Sequence, residues 1–162
     1  MEEQITYRFA TPEDAELVFE FIRGIAVYER MEDQVVTTPE AVRETLFEQH
    51  CAEVLFAVIN GEEVGFALFF QNYSTFLGKS GIYLEDLFVK PEARGKGAGA
   101  GLLKQLAKIA VERGCGRLEW VCLDGNKPSI DFYLSKGAEP LTEWTTYRLS
   151  GENLLNLAEQ DQ

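Results

Sequence analysis

Gly95, Gly97, Gly99 and Gly101 occupy alternate positions of the stretch "RGKGAGAG" (94–101), directly before an unbroken helical pattern. Glycine weakens the start of a helix, so this many glycines there indicate that something must approach the backbone closely. The first amides of a helix lack intrahelical partners, and the helix dipole adds partial positive charge. A strand, a glycine-rich turn and a helix N-terminus together therefore make a phosphate site. Two common phosphate loops do not fit. A Walker loop requires Lys followed by Ser or Thr after its glycines, and no such pair follows here. A dinucleotide fingerprint requires the interval G-x-G-x-x-G after a first strand, which Gly95-x-Gly97-x-Gly99 lacks.

Glu85 and Asp86 are the second chemical feature. They stand back to back inside "GIYLEDLFVK" (81–90), a strand of otherwise apolar character. Strict alternation along a strand places neighbours on opposite faces. A charge among Ile, Leu, Phe and Val is costly unless it is paired or solvated. One of the two is therefore expected to address a cationic substrate, and the other to be either a second substrate contact or an ion-pair or solvated edge residue.

Charge is distributed to match. The chain of 162 residues has a net charge of −12, which argues against a broad basic face for nucleic acid. Residues 1–89 carry 5 Lys/Arg and 17 Asp/Glu (−12), residues 90–117 carry 7 and 2 (+5), and residues 118–162 carry 3 and 8 (−5). The one basic stretch coincides with the glycines, so an anion-binding element lies in an acidic protein whose field favours a cationic second ligand. The three cysteines, Cys51, Cys115 and Cys122, show no CxxC pairing; a disulfide framework or zinc knuckle is not expected, and a reducing cytoplasm is. His50 is the only histidine. It reads as a surface residue at a helix end, and with it most triads and multi-His metal sites drop out. No apolar run reaches membrane-spanning length, and "MEEQITYRF" lacks the plan of a signal peptide.

The elements that must position these groups are legible as a single domain over 1–162. "ITYRFA" alternates as a strand. Thr11-Pro12-Glu13-Asp14 starts a helix to about Tyr28, and Thr38-Pro39-Glu40 starts a second to about Gln49. "EVLFAVIN" and "EEVGFALFFQNY" are strands joined at Asn60-Gly61, a hairpin signal. The strand 81–90, the glycine loop and a helix to about Arg113 follow. "GRLEWVCL" reads as a strand, Asn126-Lys127-Pro128-Ser129 as a helix start, "TTYRLS" as a strand and "GENLLNLAEQ" as a terminal helix. The fold class is mixed α/β, a central sheet with helices on both faces.

"ARGKGAGAGLL" resembles the R/Q-x-x-G-x-G/A pyrophosphate loop of the GCN5-related N-acetyltransferase (GNAT) superfamily, through Arg94, Gly97 and Gly99. "NKPSIDFYLSKGA" resembles that family's second landmark, N-x-x-(S/A)-x-x-F/Y-Y-x-x-x-G, in the right order about 30 residues on. Together with "AVYERMEDQV" (26–35) and "STFLGKSGIYLEDLFV" (74–89), they are similar to the diamine (spermidine/spermine) acetyltransferases and their thialysine-acetylating relatives over nearly the whole chain. The resemblance implies a GNAT fold with a mostly antiparallel sheet, direct acetyl transfer from acetyl-CoA to a primary amine of a polyamine or diamine-like amino acid, no metal, and a homodimer.

By that resemblance, the backbone of Leu87, Phe88 and Val89 pairs with the pantetheine arm, and the amides of Gly95, Lys96, Gly97, Ala98, Gly99 and Ala100 hold the pyrophosphate. The side chains of Arg94 and Lys96 either add charge there or are solvated loop cations. Asn126 and Ser129 match cofactor contacts, with a plain helix N-cap an equally good use of Asn126. Tyr133 becomes the proton donor to the departing thiolate; without the motif, Phe132-Tyr133 would read as core. Glu85 is the base, acting through water, and also contacts the amine. Tyr28, Glu29, Phe76 and Asp86 complete the amine site. Gly125 and Thr145 depart from the family, standing where relatives carry tryptophan and an acidic substrate ligand. They weaken the expectation of a long polyamine. Other acceptors in the same class are an amino acid side chain, an antibiotic amine or a protein lysine, and a non-catalytic acetyl-CoA sensor is the reading outside enzymes.

Overall fold

The computed structural model describes residues 4–161. Five strands form one sheet in the order β1-β2-β3-β4-β5: β1 (Ile5–Phe9), β2 (Glu53–Ile59), β3 (Glu62–Ser74), β4 (Lys79–Val89) and β5 (Leu118–Glu119). The first four are antiparallel and β5 runs parallel to β4. The β2–β3 turn uses Asn60 and Gly61, both at positive φ (51° and 78°), as the Asn-Gly signal requires.

Each face of the sheet is covered by one long helix. Helix α1 (Ala15–Glu29) packs Phe21 among Phe56, Phe66 and Phe88, with the Phe21 and Phe66 rings stacked at 5.1 Å. Helix α3 (Ala98–Glu112) buries Leu102 and Leu106 completely. It covers the other face: Gly101 lies against the Tyr7 ring, and Tyr7 pairs with Ala57, the neighbour of Phe56. A Cβ at position 101 would collide with the Tyr7 hydroxyl, so this glycine serves helix-to-sheet packing rather than ligand access.

The helix expected over 38–49 is present as α2 (Pro39–Arg43) continued by a wider-wound turn, Glu44–Glu48. Thr38 caps it by accepting the Ala41 amide at 3.1 Å. Two strand expectations need correction. "GRLEWVCL" contributes only the two residues of β5, and "TTYRLS" is in no strand. Alternating side chains give a segment two faces, but a strand exists only where another backbone satisfies its N–H and C=O groups. The chain divides after Val121 into two compact units. The second contains α4 (Lys127–Ser135) and α5 (Gly151–Glu159). In it Trp144 and Tyr147 are largely exposed.

Candidate active site

The glycine loop has the geometry of an anion cradle. Gly95 and Gly97 take φ of 84° and 88°, the left-handed region in which a side chain is strained. Gly97 is the N-cap of α3, and its carbonyl accepts the Gly101 amide at 2.9 Å. The amides of Ala98, Gly99 and Ala100 precede the first intrahelical donor and are left for a ligand. Gly99 needs no special conformation; a Cβ there would make only an ordinary contact with Val89. The spacing thus combines three uses of glycine: two left-handed turns, one open position and one helix-packing position.

β4 leaves the loop a backbone to work with. β5 pairs with it only at Ile82 and Tyr83, so from Leu84 to Val89 one edge of β4 has no strand partner among the described residues. Leu87, Phe88 and Val89 lie on this edge. Arg94 fastens the loop to it, its Nε donating to the Val89 carbonyl at 3.0 Å. The Arg94 guanidinium also lies over the Tyr28 and Phe88 rings, 4.7 and 5.5 Å from their centroids. This side chain therefore joins the loop to the C-terminal end of α1. The sequence motif identifies Arg94 but contains no sign of that second contact.

The carboxylate pair departs from simple alternation. Asp86 pairs with Leu68 while Leu84 pairs with Phe69, so Glu85 is the extra residue of a β-bulge. Without the bulge, Asp86 would share the face of Leu84. Instead it shares that of Phe88, whose register partner Phe66 belongs to the core under α1. The expected back-to-back arrangement is thereby corrected: the bulge turns Asp86 toward the α1 side. Burial, followed by the charges of Glu85 and Glu29, raises the Asp86 carboxyl to about 6. An ion pair would have lowered it, so the ion-pair use of Asp86 does not fit. Glu85 and Glu29 are exposed.

A cleft of about 470 Å³ opens between α1 and the end of β4, and Glu29, Glu85 and Asp86 are not among its walls. Its walls are largely apolar, formed by Leu17, Phe21, Val27, Tyr28 and Phe88, with Glu20 and Lys90 as its charged members. Gly24 allows the close approach, since a Cβ there would meet the Phe88 ring at 3.1 Å. The resemblance puts Tyr28 among the amine contacts and the Phe88 backbone on the pantetheine arm; that both rings wall this cleft was not anticipated. The helical stripe Leu17, Phe21, Gly24, Tyr28 was the available signal. Phe76 is fully exposed at the β3–β4 turn and is not among the cleft walls.

The second unit, described by itself, holds the other landmark. Asn126 caps α4, its side-chain oxygen accepting the Ser129 amide at 3.4 Å, so the N-cap use of Asn126 is realised. Tyr133 is two turns further along α4 and half-buried, its ring 5.5 Å from that of Phe132. Burial and the nearby Cys122 raise its phenol above the usual value. At neutral pH it keeps its proton, as a donor must.

Residues 19–138 match the model of the Acetyltransferase (GNAT) family. The chain belongs to that family. Among similar proteins, a thialysine N-epsilon-acetyltransferase of Bos taurus is 39% identical, over 95% of this chain and 97% of its own. An L-ornithine N5-acetyltransferase of Arabidopsis thaliana is 32% identical, over 91% and 85%. The fold of an integron cassette protein from the mobile metagenome of V. cholerae superposes with a TM-score of 0.81 at 30% identity, covering 96% of this chain and 98% of that one.

The protein is thus an N-acetyltransferase of mixed α/β fold, and its family uses acetyl-CoA with an amine acceptor. The residues present fit that cofactor: an unpaired strand edge suits the amides of a pantetheine arm, and the glycine cradle in a +5 segment suits its pyrophosphate. Among the described residues there is no cluster of side chains able to hold a metal, and no helix is long and apolar enough to cross a membrane. All three cysteines are free.

Proposed function

We propose that the enzyme acetylates the terminal amine of a small diamine-like acceptor, and that this acceptor is a diamino acid rather than a long polyamine. The observation that carries the reading is the bulge at Glu85, which puts Asp86 on the α1 side within the field of Glu29 and Glu85. Three carboxylates that feel one another's charge attract a small cation. The thialysine and ornithine specificities of the relatives support an amino acid acceptor, and so do the departures at Gly125 and Thr145. Acetyl-CoA, when bound, supplies the thioester whose acetyl group the amine receives.

In this reading the β4 edge at Leu87–Val89 and the amides of Gly95–Ala100 bind the cofactor, helped by Lys96, Asn126 and Ser129. Arg94 holds the loop against Tyr28. Glu29 and Asp86 orient the ammonium, with Tyr28 beside them and Phe76 at the rim. Glu85 removes the proton of the amine through water, since only the neutral amine has a lone pair to offer. Tyr133 gives its phenolic proton to the departing sulfur. The enzyme works as a homodimer in the cytoplasm, a reading that the family resemblance and the unpaired cysteines support. Thiol release from acetyl-CoA across lysine-like, ornithine-like, polyamine, aminoglycoside and peptide amines tests it. The diamino acids are expected to give the highest kcat/KM; a polyamine or peptide preference, or no release with any amine, overturns it.

A further inference from the structure

We propose that Lys104 holds the 3′-phosphate of coenzyme A, so that the enzyme distinguishes the full cofactor from its 3′-dephospho form; this rests on the cofactor placement proposed above. Seven cations fall in the basic segment 90–117, and most of them are engaged. Lys90 pairs with Glu62, Arg113 with Glu53 and Arg117 with Glu119. Arg94 fastens the glycine loop to Val89, and Lys96 belongs to the loop itself. Lys104 and Lys108 remain. Both are exposed on α3, and neither forms an ion pair or hydrogen bond among the described residues. Lys108 has Glu112 four residues on. Lys104 has Ala100, Gly101 and Ala107 as its helical neighbours and a second lysine at i+4, an arrangement that repels. Solubility of a chain with net charge −12 does not call for such a pair.

Position points the same way. The amides of Ala98, Gly99 and Ala100 are those left for the pyrophosphate. Lys104 stands one turn beyond Ala100 on the same side of the helix, about 6 Å along its axis. Side chains on a helix lean toward its N-terminus and cover the preceding turn. The four-carbon stem of Lys104 therefore carries its ammonium back toward these amides, whereas Lys108 covers only the turn at Lys104. The far face of α3 is closed, with Leu102, Leu103 and Leu106 buried. The pantetheine arm takes the β4 edge in the same reading, which leaves the exposed face marked by Lys104 to the nucleotide end. The 3′-phosphate is carried by the ribose that bears the pyrophosphate, so one sugar separates the two groups, a span comparable to one helical turn. As a monoester it has about two negative charges at neutral pH, and a lysine meets it as a point charge.

Coenzyme A and 3′-dephospho-coenzyme A differ only in this phosphate and therefore form the test. Their binding to wild type, Lys104→Gln, Lys104→Arg and Lys108→Gln would be measured by calorimetry, with melting temperatures to show that each variant is folded. Wild type should bind coenzyme A about tenfold or more tighter than the dephospho form, the effect of one charged contact. Lys104→Gln should weaken coenzyme A by about that factor and leave the dephospho form within about twofold, while Lys104→Arg keeps most of the preference. Lys108→Gln makes the same charge change one turn further on and should alter the preference much less. Equal losses in the two Gln variants would indicate a general field and overturn the contact. So would a wild type that does not distinguish the ligands, or a Lys104→Gln variant that still does. Gly97→Val separates this inference from the reading beneath it, because it should weaken both ligands. If it weakens neither, the cofactor placement falls and the role of Lys104 with it; if it weakens both while Lys104→Gln keeps the preference, only the role of Lys104 is overturned.

Discussion

In the proposed function, the loop at 94–101 and the bulge at Glu85 are two ways of building a binding site on adjoining segments of one chain. The loop works through backbone amides and left-handed glycines, so the identity of its other side chains matters little. The bulge works through side chains: one extra residue in β4 re-aims Asp86 and gathers carboxylates. A backbone site fails when a Cβ enters it, whereas a side-chain site fails when a charge leaves it. Substitutions should therefore divide the two sites cleanly by which substrate they affect.

The largest effect lies outside that pair, at Tyr133, whose raised phenol pKa suits a proton donor. Tyr133→Phe keeps the ring and removes one oxygen; turnover should fall about 10²- to 10⁴-fold with acetyl-CoA affinity nearly unchanged. The rise of turnover with pH, which reports deprotonation of the amine, should persist in this variant. Near-normal turnover would make Tyr133 a packing residue.

At the loop, Gly97→Val places a β-branched residue at a φ of 88° and covers the amides that follow. Acetyl-CoA binding, followed by calorimetry, should weaken by about a hundredfold or more, since several charge-assisted hydrogen bonds are lost together. Gly99→Ala, which meets only Val89 at an ordinary distance, should stay folded and bind more nearly as wild type.

At the bulge, Glu85→Gln removes the base and one negative charge near the ammonium, so kcat/KM for the amine should fall by about a hundredfold while KM for acetyl-CoA stays nearly unchanged. Steady-state kinetics with the amine varied would show it.

The smallest effect concerns stability. The Asp86 carboxyl moves from 3.8 to about 6 on folding, so between those pH values the folded chain holds more proton than the unfolded one. Stability therefore falls as pH rises from about 4 to about 6, and the loss is complete at pH 7. Asp86→Asn should accordingly stabilise the free enzyme at pH 7 by about 2–3 kcal/mol and make little difference at pH 4. Thermal melts at the two pH values measure this; equal shifts at both would show that folding does not raise the Asp86 carboxyl.

The same contrast explains what could be read from the residues alone. The cradle was legible because Gly95 and Gly97 are needed for their backbone conformation, and composition reports that directly. The bulge was not, because Glu85 becomes the extra residue only through the pairing of Leu84 with Phe69 and of Asp86 with Leu68, and a single strand does not reveal its register. For the same reason "ITYRF" and the Asn60-Gly61 hairpin emerged as expected, whereas "TTYRLS" alternates without finding a ladder partner. Arg94 was identified through its motif, yet its contact with Tyr28 joins residues 66 positions apart, beyond any local pattern.

The separation of the two sites is tested most directly by assaying Gly97→Val and Glu29→Gln against both substrates in one set of kinetic measurements. The expected pattern is crossed: Gly97→Val raises KM for acetyl-CoA and leaves that of the amine within about twofold, while Glu29→Gln does the reverse by about tenfold or more. Parallel rises for both substrates in either variant would contradict a backbone cofactor site and a carboxylate amine site that act separately.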